Sequence, residues 1–170
     1  MIRKSTLADI DTLLALFDEA RATIATLGID QWQNGYPSHE VVLRDIENGE
    51  SYLYEENGEI LATFAMLLEK EPTYDIIFDG AWLTGESVAY TAIHRFAIAV
   101  RARGRGIATE ILSYAKVFSE ALGKPSLRID THEGNIIMRR MLEKNGFIHC
   151  GKITLTDGTS RVAYEKVLNN

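Results

Sequence analysis

A chain of 170 residues, 46% hydrophobic and 25% charged, carries enough apolar material for a buried core and is not a disordered polymer. Its formal net charge of -6 argues against a broad nucleic-acid surface, which needs a basic excess. The one cysteine, Cys150, rules out an internal disulfide, and no Cys/His grouping has zinc spacing.

The opening residues, MIRKSTLADID, read as a short strand and a helix start, not as a signal peptide, because no long apolar run follows the basic pair. No stretch reaches membrane-spanning length, and a reducing cytoplasm is the simplest expected compartment. In TLADIDTLLALFDEARATIATLG, residues Ile10, Leu13, Leu14, Phe17 and Ile24 recur at helical spacing, with Thr6 or Ser5 as N-cap and Gly28 as the stop. DQWQNGYP reads as a loop, and SHEVVLRDIENG as a short helix capped by Ser38 and stopped at Gly49.

Two strand-like runs then flank Asn57-Gly58, a pair suited to a tight hairpin whose central residues both need positive φ. The segment KEPTYDIIFDGAWLTGES is irregular. VAYTAIHRFAIAV is apolar on both parities up to His94 and Arg95, the pattern of a strand covered on both faces. From Arg105 to Leu122, residues Ile107, Ile111, Leu112, Ala115, Phe118 and Leu122 form one helical face. PSLRIDTH is a strand, NIIMRRMLEKNG a helix stopped by Gly146, and the last segment two strands around Asp157-Gly158. The order is β, two helices, a hairpin, β, α, β, α and a terminal hairpin: one α/β domain over residues 1–170.

Between the strand ending near Val100 and the following helix lies RARGRGIATEIL, residues 101–112. Glycines let the main chain approach a ligand, and amides at a helix start favour an anion. Phosphate binding is one reading; an exposed turn with solvated arginines is the other. The stretch lacks the Lys-Ser/Thr ending of a P-loop and the third glycine of the dinucleotide fingerprint.

The segment RGRGIA, residues 103–108, resembles the Arg/Gln-x-x-Gly-x-Gly/Ala signature of the GNAT family of N-acetyltransferases, which use acetyl-CoA. Arg101-x-x-Gly104-x-Gly106 fits a second register. The first is preferred because it puts Ile107 and Ala108 where the helix begins. NIIMRRMLEKNGF, residues 135–147, is similar to the family's second signature, and the element order fits over the whole chain. The resemblance implies a central mixed, mostly antiparallel sheet with a splayed central strand and helices on both faces. It implies that the backbone of Phe96, Ala97 and Ile98 pairs with the pantetheine arm. Amides of Gly104, Arg105, Gly106, Ile107, Ala108 and Thr109 would hold the pyrophosphate, with Arg103 at the loop entrance. Asn135 would touch the cofactor near its pantetheine end.

Acetyl transfer to an amine calls for a neutral nucleophile and a polarised thioester carbonyl, so a general base is useful. Asp130 is the first choice, because it lies five residues before Asn135, where the family's ribosomal-protein acetyltransferases have a basic glutamate. A strand-end aspartate capping THEGN is the alternative. His132, of the residue type that ordinarily suits proton transfer near neutral pH, is a second candidate or is simply a loop residue. His94 reads more readily as a core histidine, Tyr164 as a half-buried strand residue and Cys150 as an inert core thiol.

The family often takes its general acid from a tyrosine seven residues after the asparagine; Leu142 stands there instead, and Met138 replaces a usual alanine. For the acceptor, attention falls on Trp32, Tyr36 and Trp82 as pocket walls, with Asp75, Asp79 or Glu86 attracting a cationic amine. The alternative is satellite core aromatics beside solvated acids. Arg139 and Arg140 read as a solvated helix face.

The expected activity is direct transfer of acetyl from acetyl-CoA to a primary amine, on a small molecule or a protein, through a ternary complex without a metal. The expected partners are acetyl-CoA and an unidentified amine acceptor, without nucleic acid or membrane, and a homodimer is a candidate assembly. A non-catalytic CoA-binding or sensing module is the first alternative, prompted by Leu142. A nucleotide- or nucleic-acid-binding domain using the arginine cluster is the second.

Overall fold

The computed structural model describes residues 1–168. In chain order the elements are β1 (Ile2–Lys4), α1 (Ile10–Ala25), α2 (His39–Glu47), β2 (Ser51–Glu56), β3 (Glu59–Leu67), β4 (Thr91–Ile98), α3 (Ile107–Ala121), β5 (Ser126–Thr131), α4 (Ile136–Lys144), β6 (Ile148–Thr154) and β7 (Ser160–Val167). This is the order that the hydrophobic periodicity predicts. The strands form a seven-stranded sheet in the order β1-β2-β3-β4-β5-β7-β6. β1–β2, β2–β3, β5–β7 and β6–β7 are antiparallel pairs, and β4–β5 is parallel.

The parallel ladder has the registers Thr91↔Leu127 and Ala92↔Arg128 and runs no further among the described residues. Three residues beyond Ala92, Arg95 takes φ 51° inside the strand. A long side chain rarely adopts that left-handed conformation, and it breaks the even pleat that a ladder needs. β4 therefore leaves its partner early, which is the expected splay.

The chain divides into two compact units, each discontinuous in sequence. The first comprises Met1–Met66 and His94–Ile111. In it, Asn57 and Gly58 take φ 53° and 79°, as the hairpin between β2 and β3 requires. Leu13, Phe17 and Ala20 of α1 pack with Val42 of α2, Leu53 of β2 and Ala97 of β4. A short 3-10 turn at Leu7–Asp9 leads into α1. Thr6 donates its amide and hydroxyl to Asp9 Oδ2, each at 2.8 Å, while Arg3 grips both Asp9 oxygens at 2.9 Å. This guanidinium holds the Asp9 carboxyl well below the usual aspartate range.

The second unit comprises Leu67–Ile93 and the chain from Leu112 onward. Its core joins Tyr74, Trp82 and Tyr90 to Ala92, Cys150, Ile153 and Ala163. The segment read from sequence as irregular is thus a core element: it makes a 3-10 turn at Pro72–Tyr74 and an antiparallel bridge between Phe78 and Lys152. The helix expected over 105–122 begins at Ile107, because Gly106 at φ 86° lies outside helical space. It ends at Ala121, leaving Leu122 exposed beyond the apolar face.

Candidate functional site

In the first unit, β4 runs through a 3-10 turn at Val100–Ala102 into the loop that opens α3. Gly104 and Gly106 have φ 77° and 86°, and an added Cβ at either would meet open space. The positive φ values account for both glycines, and the space over their backbone is open. The first bond into the helix runs from Glu110 N–H to Gly106 O, at 3.1 Å. Amides of the first helical turn consequently have no intrahelical acceptor, the arrangement that binds phosphate in general.

The three arginines of this stretch behave differently. Arg101 pairs with Glu59 at 2.6 Å and Arg105 with Glu56, both acids from the β2–β3 hairpin. Arg103 donates to the Thr23 hydroxyl at 3.0 Å and makes no carboxylate pair among the described residues. Much of the local basic charge is thus compensated within the protein. A groove for a polyanion needs that charge free, whereas backbone capture of one pyrophosphate does not.

Upstream on β4, Ala97 is buried in the core, Phe96 packs on Phe64 with ring centroids 6.2 Å apart, and Ile98 is half-buried. Arg95, at the break in the strand, pairs with buried Asp45 and donates to Tyr36 Oη at 3.0 Å. Tyr36 lies on the expected loop, packs on Trp32 (6.3 Å between centroids) and precedes a cis bond to Pro37. Trp32 stands edge-on to Phe17 at 5.9 Å. The sequence reading joined Trp32 and Tyr36 but missed Arg95, the charge that ties their loop to the strand. Burial of its ring and the neighbouring Arg95 charge push the His94 pKa down to about 3, which keeps this half-buried side chain neutral.

In the second unit, Asp130 near the end of β5 accepts a 2.7 Å hydrogen bond from Tyr74 Oη. Burial raises the Asp130 carboxyl above the ordinary aspartate range, against the opposing bond from Tyr74 and the charge of Arg161. His132 Nδ1 accepts from Gly134 N–H at 3.0 Å. His132 O accepts from Asn135 N–H at 2.9 Å. Asn135 caps α4 by accepting from Met138 N–H at 3.2 Å. Asp130, His132 and Asn135 are thus one continuous turn from strand to helix.

Trp82 is 4% exposed, its indole N–H is spent on Tyr74 O at 2.9 Å, and Arg128 lies 4.2 Å above its ring. It is a core aromatic of this unit. The sequence also missed its neighbours. Arg128 and Glu165, 1% and 0% exposed as side chains, pair at 3.1 Å. Glu165 further accepts from Ser126 Oγ, from the Leu83 and Thr84 amides and from the Thr84 hydroxyl. Arg128 donates to Gly85 O at 2.6 Å.

Leu142 is fully buried. Tyr164 is buried too: its hydroxyl accepts from Arg139 Nε and donates to Glu143 Oε1, each at 3.0 Å. Arg139, half-buried on α4, also donates to the Glu133 carbonyl at 3.0 Å, and Arg140 beside it is exposed. Cys150 donates to Ile148 O at 3.3 Å, and burial pushes its thiol up, away from a reactive thiolate. Among the described residues no cluster of His, Cys, Asp and Glu is arranged for a metal ion, and no helix is long and apolar enough to cross a membrane.

The chain is similar to many solved structures. Over its full length it is 38% identical to a GNAT-family acetyltransferase of Streptococcus agalactiae 2603, covering 96% of that chain with a TM-score of 0.90. It is 25% identical to a Staphylococcus aureus Mu50 chain provisionally described as an acetyltransferase, with 99% of each chain covered and a TM-score of 0.74. At 20% identity, the ribosomal-protein-alanine N-acetyltransferase of Brucella melitensis shares the fold, with a TM-score of 0.70 and 99% of each chain covered. No curated protein sequence matches. The family model for the acetyltransferase (GNAT) family matches residues 16–147, which include both the glycine loop and the turn from Asp130 to Asn135. The chain belongs to the GNAT family of acetyltransferases.

Proposed function

We propose that this acetyltransferase moves an acetyl group from acetyl-CoA directly to a primary amine. The observation that carries the reading is the loop of Gly104 and Gly106 at positive φ opening α3, within a chain of GNAT membership. Its residues fit a pyrophosphate: the backbone is open above both glycines, and first-turn amides have no intrahelical acceptor. In this reading the amides of residues 104–109 bind the phosphates, Arg103 adds charge at the entrance, and the backbone of Phe96, Ala97 and Ile98 aligns the pantetheine arm. Acetyl-CoA supplies an acyl group already activated as a thioester.

Asp130 takes the proton that the acceptor ammonium must lose before its nitrogen can bond to the acyl carbon. The carbon–sulfur bond breaks and the CoA thiolate leaves; the second proton, which the nitrogen sheds on becoming an amide, reaches the thiolate through solvent. Burial raises this carboxyl above the ordinary aspartate range, which makes it a better proton acceptor than an ordinary aspartate. Direct transfer is favoured over a covalent acyl-enzyme because the lone cysteine is buried and held as a thiol.

Leu142, buried and unable to give a proton, favours the second reading of a CoA-binding module without turnover. Incubation with labelled acetyl-CoA and a panel of small amines and amine-bearing peptides, scored by mass shift, decides between them. A labelled N-acetyl product supports the enzyme. Tight acetyl-CoA binding with no product on any acceptor contradicts it.

A further inference from the structure

The Asp130 carboxylate belongs to a built assembly. The turn that presents Tyr74 is capped at its start by Glu71, whose carboxylate accepts from the Thr73 amide at 3.3 Å and hydroxyl at 3.0 Å. Glu71 N–H in turn donates to Tyr90 Oη at 2.9 Å. Tyr74 O accepts the Trp82 indole N–H, and the Tyr74 ring packs at 5.2 Å on Trp82 and 5.9 Å on Tyr90. Trp82 and Tyr90 are themselves fixed by the Arg128 guanidinium, 4.2 Å from each ring. Tyr74, 1% exposed, therefore has almost no rotational freedom, and its hydroxyl is held against Asp130 Oδ1.

We propose that Tyr74 is a positioning residue for the transfer reaction: its buried hydroxyl, donating to Asp130 Oδ1, orients that carboxylate and favours its charged form. This rests on the reading of Asp130 as proton acceptor. A hydroxyl donor to an anion stabilises the anion, so the Tyr74 bond lowers the pH at which Asp130 becomes competent. Arg161 from β7 acts in the same direction, and Glu71 beside the turn opposes it. Tyr74 itself stays protonated, because burial and the Asp130 charge push its hydroxyl well above the tyrosine range. It thus supplies the bond without giving up its proton.

The test compares Tyr74→Phe and Asp130→Asn with the wild type in pH profiles of kcat/KM, with one acceptor so that the amine's own titration is common to all. Tyr74→Phe is expected to move the acidic limb upward by about one pH unit, with acetyl-CoA KM within twofold. An unmoved limb in Tyr74→Phe, beside a lost limb in Asp130→Asn, overturns the role of Tyr74 and leaves Asp130 as base. A wild-type profile in Asp130→Asn overturns both. Carbon-13 NMR of the wild-type protein needs no variant to fold. The Tyr74 ring carbon bearing the hydroxyl is expected to shift at the pH where the Asp130 carboxyl titrates, and a flat Tyr74 signal contradicts the proposal.

Discussion

The glycine loop of the first unit and the Glu165 network of the second handle charge by opposite means. At 101–106 Arg101 and Arg105 pair with local acids, Arg103 lies exposed, and the backbone over both glycines is open. At Glu165 the anion belongs to the protein, and five donors from Leu83, Thr84, Ser126 and Arg128 enclose it. In the proposed function the first region's amide donors serve a ligand. The second spends all of its donors on itself, which makes it architecture.

Removing charge should hurt folding in the second region and binding or turnover in the first and at Asp130. The largest expected loss is in Glu165→Gln, which leaves the Arg128 charge buried without its counter-charge and costs about 3–5 kcal/mol in denaturant unfolding. The pH dependence sharpens this point. Burial opposes ionisation of Glu165, but Ser126, Thr84 and Arg128 prevail and hold its carboxyl below the glutamate range. The stability it contributes is therefore present above the ordinary glutamate pKa and drains as pH falls through the depressed one. Glu165→Gln should flatten that acid-side slope in unfolding experiments at graded pH; an unchanged slope would remove Glu165 from the account.

Asp130→Asn should lower kcat by about a hundredfold or more while calorimetry finds acetyl-CoA affinity within twofold. Comparable losses in both would show that the residue serves binding. Next in size is Asn135→Ala, which removes the α4 cap and should cost about 1 kcal/mol of stability. The smallest effect is expected from Arg103→Ala. Losing one exposed charge and its Thr23 bond should weaken acetyl-CoA binding by about threefold, with steeper salt dependence in the wild type.

The same contrast explains what the sequence disclosed. The loop was legible because its requirement is local: glycines at positive φ, then an apolar helical face, all within a dozen residues. The hairpin at Asn57-Gly58 was legible for the same reason, and the element order followed from periodicity. Asp130 stands out as a candidate base by its spacing from Asn135. Its partner does not, because Tyr74 lies 56 residues away and no local pattern links them. Arg128 and Glu165 stand 37 residues apart in strands that read as ordinary. An arginine inside the apolar run SLRID was the available signal, since a buried charge demands a partner. Arg95 escaped because its consequence is a φ angle, which one sequence does not display.

In the proposed function the backbone of the glycine loop binds the phosphates of acetyl-CoA. Calorimetric titration of acetyl-CoA into wild type and Gly106→Asp tests it most directly. The aspartate adds a negative charge beside the phosphates and a side chain at φ 86°, where L residues are strained. The account predicts binding by the wild type and at least about a hundredfold weaker binding by the folded variant. Equal affinities would contradict it.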